Sequence, residues 1–308
     1  SDGLLFKRTK DISTGRAYDW YNVGKLRNSG FEFDLNVKLI QKKDWYWDMS
    51  VNGYTYANKM LNLPDEYKVS GMPNGNQRIY EGKDIYRWEM RQFAGLDEKG
   101  NSLWYMDQDI LDDAGNVVGV ERVTTGDATE ATQYLLEKSA LPDFTGGLNT
   151  TLRWKSLDLT IMTNFQFGGY GYDYDFSAFS SANFPMNRLK NYADAWNPET
   201  GKGSAPIWNT NDSNINASSD RFLISKTYFN LRNITLGYTF PANWMSKIGI
   251  KSVRVYFACD NVFFASKRKG YDPRTSMGGQ GATVALNSVD GTYYSPIRTT
   301  SVGLNINF

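Results

Sequence analysis

The chain has 308 residues, a formal net charge of +1 and no histidine. A charge this close to zero gives no reason to expect nucleic-acid binding. Without histidine, neither a Ser–His–Asp nor a Cys–His catalytic arrangement can be built. No run approaches the roughly 20 apolar residues of a membrane-spanning helix, but membrane-spanning strands alternate apolar and polar residues and are compatible with this composition.

Two strong strand patterns lie near the start of the chain. In residues 31–39, FEFDLNVKL, apolar and polar side chains alternate strictly. That run fits a tilted transmembrane strand of about 9–11 residues better than a soluble strand of about 5–6. Residues 45–54 repeat the alternation, and Trp45 and Trp47 begin its apolar side. Indole rings favour a membrane–water interface, so this pattern predicts that both strands cross a membrane.

Further alternating segments follow along the chain. The strongest are residues 144–154 and 157–167 (joined by a short turn), 252–264 and 301–308, and a weaker strand is predicted at 85–94. Segment 228–240 changes phase, because Phe229 and Leu231 are odd-numbered whereas Ile234 and Leu236 are even-numbered. A β-bulge near Arg232 and a loop entry mistaken for strand explain this change equally well.

The connections between these segments are of two kinds. Short ones lie at 155–156 and 241–249, and long polar ones lie at 64–83, 107–138, 170–220 and 267–296. Short turns at one end and long loops at the other are typical of outer-membrane barrels. The sequence therefore predicts an all-β fold of antiparallel transmembrane strands, with short periplasmic turns and long extracellular loops.

The sequence gives only weak indications of catalytic or metal-binding residues. Cys259 is in register with the apolar side of its strand, which favours inert packing. Asp173 with Asp175, or Asp112 with Asp113, could formally serve as a carboxylate pair, but solvated loop acids explain them better. The acid-rich and amide-rich stretches 105–116 and 209–220 do not have calcium-loop spacing. We therefore expect no enzyme activity, no cofactor and no metal.

Aromatic clusters in the long loops are the best binding signal. Tyr170, Tyr172 and Tyr174 alternate along one segment, and Trp196 and Trp208 follow in the same loop. Exposed rings offer flat apolar faces that can stack on sugar rings or on peptide side chains. An interfacial girdle for the tyrosines and packing within the loop for the tryptophans are the competing interpretations.

Several stretches, taken in order, resemble one family, the SusC/RagA-like TonB-dependent outer-membrane transporters. These are YNVGKLRNSGFEFDLNVKL (21–39), FAGLDEKGNSLWY (93–105), LPDFTGGLNTTLRWKSLDLTIMTNFQFGG (141–169), AWNPETGKGSAPIW (195–208), LRNITLGYTFP (231–241), VRVYFACDNVFFASKRKGYDP (253–273) and RTTSVGLNINF (298–308). The sequence departs from the family where CDNVFF replaces a pattern of the type S-G-Q-N-L-F and where residues 267–296 cannot be aligned.

The resemblance implies that residues 1–308 form the C-terminal section of a barrel of about 22 strands. The plug, the N-terminal region that contacts the TonB complex and the earlier strands would lie outside this chain. It also implies import of nutrient oligomers across the bacterial outer membrane, with glycans favoured over peptides. The implied partners are a SusD-like surface lipoprotein, outer-membrane lipid and the oligosaccharide or peptide substrate, and a homodimer of transporter–lipoprotein pairs is compatible with the family.

The final strand carries one more expectation from the resemblance. Val302, Leu304, Ile306 and Phe308 share one side of an alternating strand, and in the resembled family such residues are read by the barrel-assembly machinery. A different class of protein, a soluble all-β glycan-binding module or hydrolase, is the alternative. It explains poorly why long two-faced strands begin with tryptophans on the apolar side.

Overall fold

The computed structural model describes residues 2–16, 18–180, 194–209, 212, 214–245, 249–268, 277–278 and 296–308. The predicted loops 170–220 and 267–296 lie partly outside these residues, as does the KGYDP stretch at 269–273. No helix in the described ranges is long and apolar enough to cross a membrane.

The chain is built mainly of antiparallel strands. They are β1 (Asp2–Thr9), β2 (Tyr18–Gln41), β3 (Trp45–Asn62), β4 (Met72–Asn74), β5 (Gln77–Ile79), β6 (Arg87–Arg91), β7 (Phe93–Leu96), β8 (Ser102–Leu111), β9 (Val117–Thr125), β10 (Gln133–Ser139), β11 (Pro142–Trp154), β12 (Leu157–Gly168), β13 (Tyr170–Asp173), β14 (Leu223–Ser225), β15 (Tyr228–Thr239), β16 (Ser252–Ser266), β17 (Met277–Gly278) and β18 (Thr299–Asn307). Two short helices are α1 (Tyr174–Phe179) and α2 (Ala242–Met245), and 3-10 turns occupy Ile12–Thr14, Asp65–Tyr67 and Asp220–Phe222.

One eight-stranded sheet forms a wall, with strand order β1-β2-β3-β11-β12-β15-β16-β18. Neighbouring strands are antiparallel throughout. The tight turn between β11 and β12 places Lys155 at φ 52°, and its flanking residues Trp154 and Leu157 pair directly. The predicted antiparallel strands and partial barrel section are confirmed.

The wall has two different faces because side chains alternate along each strand. One face is apolar and exposed, and it carries Phe31, Leu35, Trp154, Phe167, Leu236, Phe257, Val302 and Leu304 among others. The register brings the polar residues of successive strands together on the other face, for example Asn36 opposite Ser50 and Ser50 opposite Asn149. A sheet with an exposed apolar face and a polar face is expected when lipid lies on one side and water on the other.

Aromatic rings mark the two borders of the apolar face. At the short-turn end, Trp45 stacks on Trp154 with 5.6 Å between ring centroids. At the other end, Phe33, Phe144 and Phe165 lie side by side with centroid distances of 6.4 and 6.0 Å. Phe144 and Trp154 are separated along β11 by about 33 Å, or about 25 Å along the membrane normal for a strand tilted by about 40°. That height matches the apolar band of an outer-membrane barrel.

The phase change in β15 is a β-bulge, so the first of the two explanations is correct. The pairing of β15 with β16 shifts between Leu231 and Asn233, and the pairing of β12 with β15 shifts at the same point. Arg232 is therefore the extra residue. Without the bulge, half of the strand would present its apolar side chains to the polar face.

The weaker strand predicted at 85–94 is observed as β6, followed by β7 from Phe93. β6 lies outside the wall, in a separate four-stranded sheet of order β10-β6-β5-β4. The long polar connection predicted at 107–138 lies between two wall strands and contains strands of its own, since β8 and β9 form a long hairpin there and β10 follows. The apolar residues of this hairpin are interrupted by acids, so the sequence pattern did not reveal its strands.

We expect that Leu236→Arg destabilises the folded barrel by about 2 kcal/mol, because the charge would enter lipid. Thr235→Arg is the matched control, since Thr235 is the neighbouring residue on the opposite, polar face. The folded fraction of the full-length protein in lipid vesicles, measured by heat-modified gel migration against urea, compares them. Equal losses for the two variants would contradict the assignment of the faces.

Candidate functional site

The polar face of the wall carries a chain of hydrogen-bonded side chains. Asn230 donates to the Asn164 side-chain oxygen at 2.9 Å, and Asn164 donates to the hydroxyl of Tyr228 at 3.2 Å. Asn233 donates to Asp260 at 2.8 Å. These groups come from three adjacent strands, and they tie the strands together on the polar face. Asn230 and Tyr228 are buried, whereas Asp260 is exposed and can hydrogen bond a polar solute.

An ion pair lies on the same face near the short-turn end. Arg254 donates to the two oxygens of Asp158 at 3.0 and 2.5 Å. The pair crosses β15 at Gly237, where a Cβ atom would lie 2.3 Å from the guanidinium. Glycine is needed there because any side chain would displace the bidentate pair, which fixes both charges on the polar face.

Above the aromatic border formed by Phe33, Phe144 and Phe165, the loops form a compact layer with its own apolar core, called the loop layer below. Seven of its buried residues are Trp88, Met90, Leu136, Ala140, Tyr172, Phe222 and Leu223. The indole N–H of Trp88 donates to the carbonyl oxygen of Tyr170 at 3.1 Å. This layer joins β6 and β10 to β13 and β14, and it holds the loops in fixed positions above the wall.

The three predicted tyrosines take part in this core to different degrees. Tyr172 is buried, with its ring centroid 4.7 Å from that of Tyr174 and 5.9 Å from that of Phe222. Burial raises the pKa of the Tyr172 hydroxyl above its usual range. Tyr170 and Tyr174 pack on the edge of the core. Tyr172 therefore offers little surface to a ligand, and its two neighbours offer more.

A buried ion pair fixes the segment that carries the tyrosines. Both oxygens of Asp173 accept hydrogen bonds from the guanidinium of Arg268, one of them at 2.5 Å. Asp173 also accepts from the backbone N–H of Phe176 at 3.0 Å and so caps α1. Each side chain of the pair is only 3% exposed. The interpretation of Asp173 as a solvated loop acid was wrong; the side chain of Asp175 lies outside the described residues.

The two predicted tryptophans lie together beside the β7–β8 turn. The indole of Trp196 covers Gly100, where a Cβ atom would lie 2.2 Å from the ring. The backbone N–H of Ile207 donates to the Gly100 carbonyl at 2.8 Å, which ties the loop to the turn. Trp208, the next residue, is 45% exposed. Trp196 is thus held mainly by packing, whereas Trp208 presents its ring.

A cavity of about 680 Å³ lies where β3 and β11 separate above the membrane border. Its lining includes Tyr56, Asn58, Lys83 and Asp143. Asn58 is buried; its side-chain oxygen accepts from the backbone N–H of Ile85 at 3.0 Å, while its Nδ2 has no hydrogen-bond partner. A buried amide without an acceptor costs about 1–3 kcal/mol, and a ligand oxygen in the cavity would remove that cost.

A lysine is partly buried where the loop layer meets the wall. The ammonium of Lys226 lies 3.4 Å from the carbonyl oxygen of Ala140, and burial lowers its pKa below the usual range. The backbone N–H of Lys226 donates to the Gly169 carbonyl at 2.8 Å. Within the described ranges, no three acidic or cysteine side chains form a metal-binding group.

Three of the four residues of the predicted assembly signal lie on β18, the edge strand of the wall. Val302, Leu304 and Ile306 pair with Phe257, Val255 and Val253 of β16. They thus continue the apolar face, and Phe308, which directly follows β18, is also exposed. The structure places these residues in one row, and their role in assembly stays a prediction.

The fold and the two-faced sheet define a section of a transmembrane β-barrel wall carrying an ordered loop layer. No protein-family model matches the chain. It is 26% identical over 329 aligned residues to the TonB-dependent receptor P3 of Formosa agariphila, covering all of this chain and 31% of that protein. It is 27% identical over 294 residues to the TonB-dependent receptor SusC of Bacteroides thetaiotaomicron, covering 93% of this chain and 27% of that protein.

Among solved structures, the RagAB peptide transporter matches all of this chain and 32% of its own matched chain, with a TM-score of 0.78 and 24% sequence identity. This likeness shows the fold. The chain spans about a third of the length of the proteins that it matches. Together these comparisons confirm the resemblance to SusC-like TonB-dependent transporters. The matched relatives are named as receptors and transporters, in agreement with the prediction that the chain is not an enzyme.

Sequence reasoning missed the residues that hold the loop layer together. Trp88 and Phe222 lie in short segments without a clear alternation, and Asp173 and Arg268 are 95 residues apart in the chain. Only the spatial approach of β13 to the end of β16 reveals the ion pair. The signal for Asn58 is equally weak, since an asparagine on a polar face is expected to meet water.

We expect that Asp173→Asn unfolds the segment around α1 locally, because it leaves the Arg268 charge buried without a counterion, at a cost of about 3–5 kcal/mol. Hydrogen exchange of the full-length protein in detergent should show faster exchange in residues 170–180, while the wall remains protected.

Two further variants test this explanation. Asp65→Asn removes an acid that pairs with Lys68 on the surface and should leave exchange unchanged. Asp173→Asn combined with Arg268→Met should recover part of the protection, since neither charge remains buried. Unchanged exchange in Asp173→Asn alone would show that the pair does not hold this segment.

Proposed function

We propose that the chain forms the barrel wall and extracellular loops of a TonB-dependent importer of nutrient oligomers in a bacterial outer membrane. The observation that carries this proposal is the wall itself, with its exposed apolar face between two aromatic borders and its polar face opposite. A soluble glycan-binding module or hydrolase would leave that face in water, although exposed apolar patches of monomers rarely exceed a few hundred Å². The similarity to TonB-dependent receptors supports the same proposal.

The barrel would be completed by strands outside this chain. Within the described residues β1 and β18 are the two edges of the wall, and an unpaired edge in lipid costs several kcal/mol for each unsatisfied backbone group. We place residues 1–308 in the C-terminal section of the barrel. The plug and the segment that contacts the TonB complex belong to the rest of the protein, and plug movement driven through TonB would open the path.

The substrate path would run along the polar face and under the loop layer. The exposed polar side chains of the wall, such as Asn36 and Asp260, the cavity beside Asn58 and the exposed ring of Trp208 are its proposed contacts. Tyr170, Tyr174 and Trp196 would border the path, and Tyr172 would support them from within the core. Mixed donors and acceptors near aromatic rings suit a sugar oligomer, so we favour glycans, whereas RagAB is described as a peptide transporter.

A surface lipoprotein of the SusD type would cover the loop layer, and two transporter–lipoprotein pairs would form the homodimer. The supporting observation is the order in the loop layer: its apolar core and buried ion pair hold it as a rigid platform, and a rigid platform binds a partner without a large loss of conformational entropy.

We expect Trp208→Ala to weaken substrate binding about tenfold, because a stacking ring of this kind contributes of the order of 1–2 kcal/mol. Binding of malto-oligosaccharides, xylo-oligosaccharides and a casein peptide digest to the purified full-length transporter is compared by calorimetry. Trp244→Ala is the matched control, since Trp244 is also exposed but lies in α2 at the short-turn end.

The outcomes separate the parts of the proposal. Weaker binding of peptides alone would replace glycans by peptides as cargo. Equal binding by Trp208→Ala and the native protein would remove Trp208 from the path. If the parent protein stays in the supernatant after cell breakage without detergent, the importer proposal itself is wrong.

We expect Phe308→Asn to lower the amount of assembled barrel in outer membranes without changing substrate affinity. The reason is that Val302, Leu304, Ile306 and Phe308 would be read as one apolar row by the assembly machinery. Thr300→Asn, at the other end of the same strand, is the control. Heat-modifiable barrel in isolated outer membranes measures assembly, and equal amounts for both variants would contradict an assembly role.

A further inference from the structure

The β8–β9 hairpin projects from the loop layer and exposes an apolar tip. Its outer half consists of residues 107–121, nearly all of them exposed. Five apolar side chains in this half are between 45% and 62% exposed, namely Ile110, Leu111, Val117, Val118 and Val120. Val118 and Val120 are two positions apart and so point to the same side of the hairpin. Such a group of apolar side chains on a projecting element indicates a binding surface.

The base of the hairpin is fixed, so the tip is held in place. The hydroxyl of Tyr134 donates to Asp107 at 2.5 Å, and the backbone N–H of Asp107 donates to the Thr132 hydroxyl at 2.8 Å. The guanidinium of Arg122 lies 4.3 Å from the centre of the Tyr134 ring. These contacts join β8 and β9 to β10, and a partner could bind the tip without first ordering it.

The turn at the tip is also ordered. The carboxylate of Asp112 accepts hydrogen bonds from the backbone N–H groups of Ala114 and Asn116 at 2.9 and 2.8 Å. These backbone hydrogen bonds, that of Asn116 above all, hold the pKa of Asp112 below its usual range, so its charge persists in mildly acidic surroundings. The apolar side chains at this tip are therefore exposed on an ordered turn.

The charge of the tip restricts what can cover it. Between Gln108 and Glu121 there are four carboxylates, those of Asp109, Asp112, Asp113 and Glu121, and no cation. A second copy of the same tip would bring like charges together, which disfavours self-association. Phosphate groups at the membrane surface would be repelled for the same reason. A protein whose apolar docking face is bordered by lysine or arginine is complementary in both respects.

The backbone offers a second mode of contact on the same element. Among the described residues, β9 pairs only with β8, and it is an edge of the sheet of order β7-β8-β9. An edge strand presents unpaired N–H and C=O groups that can bind an extended segment of a partner. The apolar side chains of Val118 and Val120 lie on this edge strand.

We propose that the tip of the β8–β9 hairpin is the docking element for a protein partner that presents an apolar face bordered by basic residues. On the proposed function, this partner is the surface lipoprotein, so the identity of the partner rests on that function, whereas the surface rests on the geometry of the hairpin. The hairpin then connects the bound lipoprotein to the loop layer through β10, which packs Leu136 into the apolar core.

The test uses the full-length transporter expressed with its lipoprotein in outer membranes. Val118→Asp combined with Val120→Asp should lower the amount of lipoprotein that co-purifies in detergent about tenfold, as for loss of an apolar contact at the centre of an interface. Val69→Asp is the matched control, because Val69 is 94% exposed in another loop and should leave the yield unchanged. Both proteins must show native heat-modified migration.

A charge-reversed variant tests the electrostatic part independently. Asp109→Lys combined with Asp113→Lys should weaken retention at low salt and should make retention less dependent on salt concentration than in the native protein. Unchanged retention in both double variants would overturn the proposal. A photo-cross-linker at position 118 that joins to lipid, to a second transporter or to the same barrel would also overturn it. A native transporter that retains no lipoprotein would instead contradict the partner named under the proposed function.

Discussion

The need to pair backbone N–H and C=O groups within the wall is the constraint on which the rest of the structure depends. Hydrocarbon offers these groups no water, so each strand must satisfy its neighbours and keep its apolar side outward. A slip of one residue would turn an entire strand over. The bulge at Arg232 shows how closely the chain follows this rule, since it restores the faces of β15 after an odd-numbered start.

The outer face of the wall contacts lipid and the loop layer contacts water, and the two parts are stabilised differently. The wall exposes its large apolar side chains, while the largest buried ones, such as Trp104, Phe222 and Met60, lie in three separate clusters formed with residues of the connections. The loop layer has the kind of apolar core that is found in water-soluble proteins, with close aromatic contacts and a buried ion pair. The folded loop layer is stabilised by removal of apolar side chains from water. This effect contributes little to the wall, because the apolar side chains of the wall face lipid.

This division explains what the sequence could predict. Strict alternation in β2, β3, β11 and β12 identified the wall and its faces, because lipid allows no other pattern. In the loop layer, short strands such as β6 and β13 are held by contacts distant in sequence, so neither the pairing of Asp173 with Arg268 nor the burial of Tyr172 followed from local residues. The exposed apolar tip of the β8–β9 hairpin was not predicted for a related reason. Its acidic residues suggested a solvated loop, although its valines lie on an edge strand.

The same division determines where recognition can occur. Any polar partner contact on the outer face of the wall would have to enter lipid, so partners must bind to the loop layer or to the polar face. A core of limited size can still position such contacts accurately, because Asp173 caps α1 and pairs with Arg268 at once. The projecting hairpin joins this core through Tyr134 and β10. A partner bound at the tip, as proposed above, would therefore contact an element that is joined through β10 to the loops above the polar face.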